Sequence, residues 1–125
     1  MRYAIEKKED YVVFTPQIEK IDSTVAPKLK SELLTLQAEG FQHLVLDLSQ
    51  VKYADSSGLS ALLVGNREFR KMGGVFIING VQDHVMKLIK ISMLDQIFML
   101  SKDLEEAGKM IFIHMVNAEE EGEQE

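Results

Sequence analysis

The stretch that decides the fold is residues 43–74, HLVLDLSQVKYADSSGLSALLVGNREFRKMGG. It opens with an apolar run over 43–48, which is the pattern of a strand covered on both faces, as in a parallel sheet. Apolar residues then recur at helical spacing, at Leu59, Leu62, Leu63 and Phe69. Gly73-Gly74 predicts the end of that helix. The stretch therefore predicts a buried strand whose carboxyl end leads, through a short connection, into a helix.

Asp55-Ser56-Ser57-Gly58 lies at the junction between connection and helix. The first N–H groups of a helix have no partner within it, and the helix dipole places partial positive charge there. An anion is favoured at such a position, and a serine there could carry a phosphate. Asp and Ser are also preferred helix caps. On spacing alone, a capping role is therefore more common for these residues than a phosphorylation site.

The amino-terminal part predicts a hairpin and a helix. Two strands, over 3–7 and 11–15, are separated by the polar turn Lys8-Glu9-Asp10. A loop over 17–24 follows, and its last residues can cap a helix that runs to about Glu39. The candidate caps are Asp22, Ser23 and Thr24.

The carboxyl-terminal part continues the alternation of strands and helices. We expect a strand over 75–79, a helix over 81–91, a strand over 97–100, and a last helix capped by Ser101 with Glu105 near the capping-box position. This order predicts an α/β fold with a mixed, mainly parallel sheet of four to five strands and about four helices packed on it. We expect one domain over 1–117 and a disordered acidic tail, AEEEGEQE, over 118–125.

Composition narrows the function classes. The 125 residues carry a net charge of -6, which disfavours nucleic acid as a partner because binding it relies on basic patches. The chain has no cysteine, which excludes disulfides and thiolate metal sites. No apolar run approaches the roughly 18 residues that a membrane span needs. We therefore expect a cytoplasmic protein that binds neither membrane nor nucleic acid.

Motifs for catalysis or cofactor binding are absent. The sequence has no GxxxxGK[ST], no GxGxxG, no GxSxG and no HExxH. Its three histidines stand on different predicted elements without metal-ligand spacing. An enzyme that uses Ser56 or Asp55 at the strand–helix edge has the right location but lacks an accompanying base, metal cluster or phosphate loop. We expect no cofactor, no metal and no catalytic residues.

The string LVLDLSQVKYADSSGLSALL, residues 44–63, resembles the central signature of STAS domains of the anti-sigma factor antagonist type. In that family a partner kinase, which is also an anti-sigma factor, phosphorylates the first serine after the aspartate. The resemblance implies phosphorylation of Ser56, with Ser57 as second choice. It also implies a partner-binding surface made of Asp22, Asp55, Ser56, Ser57 and Gly58.

Two positions depart from the family pattern. The family usually has Gly-x-Leu-Asp before its first helix, and here Glu19 replaces the glycine while Ile21-Asp22 matches Leu-Asp. Asp22 is therefore either a recognition residue, a helix cap or both. The family's Ser/Thr-Gly-Leu loop is matched by Ser92-Met93-Leu94, with Met93 in place of glycine.

The resemblance implies a protein-binding module without enzymatic activity. Unphosphorylated, it would bind an anti-sigma factor serine kinase and release a sigma factor, and phosphorylation of Ser56 would inactivate it. A serine phosphatase is a further implied partner. The alternative is a STAS scaffold, or a subunit of a signalling or transport complex, that has no phosphorylation switch.

Overall fold

The computed structural model describes residues 1–123. Its strands are β1 Tyr3–Lys7, β2 Val12–Pro16, β3 Lys20–Ile21, β4 Leu44–Asp47, β5 Tyr53–Ala54, β6 Phe76–Asn79 and β7 Met99–Ser101. Its helices are α1 Ala26–Ala38, α2 Ser56–Lys71, α3 Asp83–Ile91 and α4 Leu104–Glu123, with a short 3-10 helix at Leu94–Gln96.

Five strands form one sheet in the order β1-β2-β4-β6-β7. The β1–β2 hairpin is antiparallel, and the other three pairings are parallel. Each parallel strand is reached through a helix, which is the connection that parallel neighbours require. The predicted α/β class, with a mixed sheet and four helices, is confirmed.

Both faces of the sheet are covered by helices. Alternate residues of each strand point to opposite faces. On one face, strand residues such as Phe14, Leu46 and Ile78 pack in one core with apolar residues of α1, α2 and α3. On the other face, Val13, Val45, Val75 and Ile77 pack against Ala107 and Ile111 of α4. This double burial explains why residues 44–48 are apolar at every position except Asp47.

The predicted cap of the last helix was wrong. Asp103, not Ser101, caps α4: its carboxylate accepts a hydrogen bond from the backbone N–H of Glu106 at 2.8 Å. The Glu106 carboxylate in turn accepts one from the N–H of Lys102 at 3.2 Å. Ser101 ends β7, where its hydroxyl donates to Asn79 Oδ1 at 2.8 Å. Ser101 cannot cap the helix because the sheet already holds its side chain.

Helix α4 extends into the segment for which the sequence predicts a disordered acidic tail. Helix α4 continues without interruption from Leu104 to Glu123, whereas residues 124 and 125 lie outside the described part of the chain. Residues 117–122 are exposed, so this extension makes no buried contact with the domain. A domain boundary at 117 stays a prediction.

No helix within residues 1–123 is both long enough and apolar enough to cross a membrane.

Candidate functional site

A two-stranded parallel pair, β3 with β5, builds the site. Ile21 stands opposite Ala54, and the N–H of Asp55 donates to the Ile21 carbonyl at 3.3 Å. Asp22 and Asp55 therefore leave the pair at the same edge. The sequence predicted a loop over 17–24, and the pairing that joins it to the Asp-Ser-Ser-Gly motif was missed.

Helix α2 begins at this motif. Asp55 is its N-cap, and its Oδ1 accepts a hydrogen bond from the N–H of Gly58 at 3.0 Å. Ser56 is the first helical residue and is exposed, whereas Ser57 is half-buried. Asp55 thus has the capping role that residues of its type favour, and Ser56 presents its hydroxyl at the surface.

Gly58 is buried against the backbone of β3. A Cβ added here would overlap the carbonyl oxygen of Ile21 and would lie 3.1 Å from Ile21 Cγ2. Only glycine permits so close an approach between helix and strand. Gly58 is therefore a structural residue that holds the start of α2 against the segment that carries Asp22.

Asp22 does not cap α1, and its role in recognition stays a prediction. Its Oδ1 accepts hydrogen bonds from the Thr24 hydroxyl at 2.6 Å and from the Thr24 N–H at 3.0 Å. These two bonds hold the pKa of Asp22 below its usual value, and the bond from the hydroxyl has the larger effect. The N-cap of α1 is Val25, without a side-chain cap. Since Asp22 is only half-buried, the site keeps an ionised carboxylate next to Asp55.

Two grooves flank the motif. One, a cavity of about 440 Å³, is lined by Lys20, Ile21, Asp22, Tyr53, Ala54 and Asp55. The other, of about 330 Å³, lies between the first turns of α1 and α2 and is lined by Ser23, Ala26, Pro27, Lys30, Ser56, Ser57 and Ser60. We call them the aspartate groove and the Lys30 groove. All five predicted site residues lie in or beside these two grooves.

Residues 2–107 match the family profile of the STAS domain. The chain belongs to the STAS domain family. It is similar to the anti-sigma-B factor antagonist of Listeria monocytogenes, with 31% identity over 78 residues that cover 62% of this chain and 68% of the relative.

Solved structures share the fold of this STAS domain. An anti-sigma factor antagonist from Mycobacterium paratuberculosis matches it with a TM-score of 0.77 at 25% identity, covering 88% of this chain and 92% of that one. The phosphorylated form of SpoIIAA, a cell fate determinant of Bacillus, matches with a TM-score of 0.69 at 20% identity, covering 88% of this chain and 99% of that one. The latter similarity is one of fold.

The two departures from the STAS pattern have different consequences. Met93 has φ 60° and ψ 20°, the left-handed conformation for which glycine is suited. Within residues 1–123 it is the only residue other than glycine with positive φ, so Glu19 needs no such freedom. The Glu19 carbonyl accepts hydrogen bonds from the N–H groups of Lys52 and Tyr53 at 2.7 and 3.0 Å. Glu19 therefore supports the β3–β5 pair instead of disturbing its loop.

A buried polar ladder supports the carboxyl edge of the STAS sheet. The Asp47 carboxylate accepts hydrogen bonds from Asn79 Nδ2 at 3.2 Å and from the N–H of Ser49 at 3.1 Å. Asn79 Oδ1 in turn accepts one from Ser101. Asn79 and Ser101 were missed as members of this ladder. Their signal in the sequence is that each is a polar residue at the end of an apolar strand.

None of the three histidines of the STAS domain lines the aspartate groove or the Lys30 groove. His43 Nδ1 accepts a hydrogen bond from the N–H of Val75 at 3.1 Å, and His114 Nε2 lies 3.0 Å from the Gly73 carbonyl oxygen. The His84 ring packs edge-on against Tyr53 with a centroid distance of 5.0 Å. Within residues 1–123 no cluster of three or more acidic or histidine side chains is arranged to hold a metal ion.

Proposed function

We propose that this STAS domain is an anti-sigma factor antagonist that is switched by phosphorylation of Ser56 in the cytoplasm. In the unphosphorylated form it binds an anti-sigma factor serine kinase, and the sigma factor held by that kinase is released. Phosphorylation of Ser56 ends the binding, and a serine phosphatase restores it. The domain is then a substrate and a binding partner, and it catalyses no reaction itself.

The observation that carries this proposal is the placement of an exposed serine directly beyond the β3–β5 pair. That pair brings Asp22 and Asp55 to one edge, and Ser56 follows as the first residue of α2. A kinase can reach the exposed Ser56 hydroxyl more easily than the half-buried Ser57. The family relationship and the named antagonists among its relatives support the same assignment.

The charges around Ser56 supply a physical basis for the switch. A phosphate adds about -1.5 to -2 charges at neutral pH, next to a surface that already bears the carboxylates of Asp22 and Asp55. A partner surface that fits the unphosphorylated form then meets repulsion and uncompensated desolvation. A change of a few kcal/mol would lower the affinity on the order of a hundredfold or more.

The test is intact-mass and peptide mass spectrometry of the protein recovered from its own host. Wild type is compared with Ser56→Ala and with Ser57→Ala, a matched change one residue further along the helix. We expect a single phosphate that maps to Ser56, is absent from Ser56→Ala and is retained in Ser57→Ala.

Two other outcomes have distinct meanings. Protein that is unmodified across growth and stress conditions would contradict the switch and favour the scaffold or complex-subunit alternative. A phosphate on Ser57 alone would preserve the switch but assign it to the other serine. Ser57 would then have to become accessible by movement of the first turn of α2, where it is half-buried.

A further inference from the structure

The Lys30 groove is distinct from the aspartate groove and shares none of its lining residues. It is formed by one face of the start of α1 and by the first turn of α2. Ser56, Ser57 and Ser60 supply three hydroxyl-bearing residues along one wall, and Lys30 stands on the other wall. A group attached to Ser56 Oγ would therefore enter a polar groove that is already present in the fold.

The two grooves differ in charge. Lys30 is the single charged residue that lines the Lys30 groove, whereas Asp22 and Asp55 line the aspartate groove together with Lys20. A phosphate on Ser56 carries about -1.5 to -2 charges. Attraction by Lys30 and repulsion by the two carboxylates both favour the position between α1 and α2.

Lys30 is available for such a contact. Among residues 1–123 it forms no ion pair, whereas its helix neighbour Lys28 pairs with Glu32 at 2.9 Å. The Lys30 side chain is half-buried, so its position is restricted before any phosphate is added. A restricted cation loses less conformational freedom on binding an anion than a fully solvated lysine does.

We propose that Lys30 binds the phosphate of Ser56 within the same chain and holds it in the Lys30 groove. The inference rests on the proposed phosphorylation of Ser56 and adds a positioning residue to it. Lys30 acts as a point charge on the phosphate dianion. The phosphorylated form would then present a filled groove between α1 and α2 in addition to its extra negative charge.

The test uses protein with phosphoserine encoded directly at position 56, so that no kinase is needed. A pH titration followed by ³¹P NMR gives the second pKa of the phosphate, which is near 6 without a partner. A nearby ammonium group favours the dianion and so lowers this pKa. We therefore expect Lys30→Met to raise the phosphate pKa by about 0.5 unit relative to the parent phosphoprotein, which keeps Lys30. Lys30→Arg, which keeps the charge, should retain the low value.

Lys28→Met is the matched control, because it removes the same charge from the same helix. It should leave the phosphate pKa unchanged. Equal pKa values in Lys30→Met, Lys28→Met and the parent phosphoprotein would overturn the inference. Lys30→Gln serves as a second neutral variant if Met perturbs the groove, with circular dichroism to confirm folding.

The two experiments distinguish a failure of this inference from a failure of the proposed switch. If the host protein carries no phosphate but the encoded phosphoserine shows the Lys30 effect, the groove assignment stands and the proposed function fails. If the host protein is phosphorylated on Ser56 but the pKa is insensitive to Lys30, the proposed function stands and this inference fails.

Discussion

Gly58 and Ile21, which lie 37 positions apart in the chain, are in direct backbone contact. The α-carbon of Gly58 faces the Ile21 carbonyl oxygen so closely that a methyl group would overlap it. The same carbonyl accepts the hydrogen bond from the Asp55 N–H. This contact joins the segment that carries Asp22 to the helix that begins with Ser56, and the site exists because of it.

Gly58→Ala should therefore destabilise the domain. The added methyl group must displace β3 or the first turn of α2, and forcing extra atoms into a packed position costs about 1–3 kcal/mol. The free energy of unfolding in urea measures the effect. Gly122→Ala is the control, since nothing lies within 4 Å of its Cβ position, and it should cause no loss. A fully stable Gly58→Ala would show that the contact can relax without cost.

Asp55 should contribute to stability through its hydrogen bond and not through its charge. Asp55→Ala removes the acceptor for the Gly58 N–H and should lower the free energy of unfolding by about 1 kcal/mol. Asp55→Asn keeps a side-chain oxygen and should remain within a few tenths of a kcal/mol of wild type. Equal losses in both variants, measured by denaturant unfolding, would assign the effect to the carboxylate charge at the helix N-terminus instead.

Met93→Gly should stabilise the domain. A left-handed conformation costs a residue with a Cβ roughly 1–2 kcal/mol, and glycine removes this strain. Glycine also gives the unfolded chain more conformational freedom, which destabilises the folded state by about 0.5–1 kcal/mol. Because the Met93 side chain is 61% exposed, little packing is lost. We expect a net gain of roughly 0.5 kcal/mol in urea unfolding, given these opposing terms. Met93→Ala keeps the Cβ and should show no such gain, so equal behaviour of the two variants would contradict the strain argument.

His43 should make stability depend on pH. Burial lowers the pKa of His43 in the folded state, the nearby His114 lowers it further, and Asp10 opposes both. Independently, Nδ1 must be unprotonated to accept the hydrogen bond from the Val75 N–H. The unfolded chain therefore binds a proton more readily than the folded one. The stabilising contribution is complete above the unfolded pKa of about 6.5 and is lost as pH falls through the folded pKa.

Unfolding free energies measured between neutral and mildly acidic pH test this dependence. His43→Asn retains a side-chain oxygen as acceptor but cannot titrate, so its stability should fall less on acidification than that of wild type. His84→Asn is the matched control, because His84 is exposed beside Tyr53. If His43→Asn and wild type lose stability equally, the pH dependence arises from other groups.

The local pattern of the chain determined the class of fold. The apolar run at 44–48, interrupted only by Asp47, is the pattern of a strand buried on both faces. The spacing of Leu59, Leu62 and Phe69 is that of a helix packed on one side. The alternation of such segments was sufficient for a parallel sheet with helices. A capped helix start within Asp55-Ser56-Ser57 also followed, because capping preferences act within a few residues, and the structure assigned the cap to Asp55.

The sequence by itself thus determined the order of the major elements, the α/β class and the placement of the serine motif at a helix start, because periodicity and capping are local properties of the chain. Only the tertiary structure decided that β3 pairs with β5, since a two-residue strand is too short to show any periodicity. It also decided that Asp103 and not Ser101 caps α4, because both residue types favour caps and only Ser101 has Asn79 as a buried partner. The two grooves beside Ser56 have the same origin: they lie between segments that are distant in the chain, and packing alone sets that distance in space.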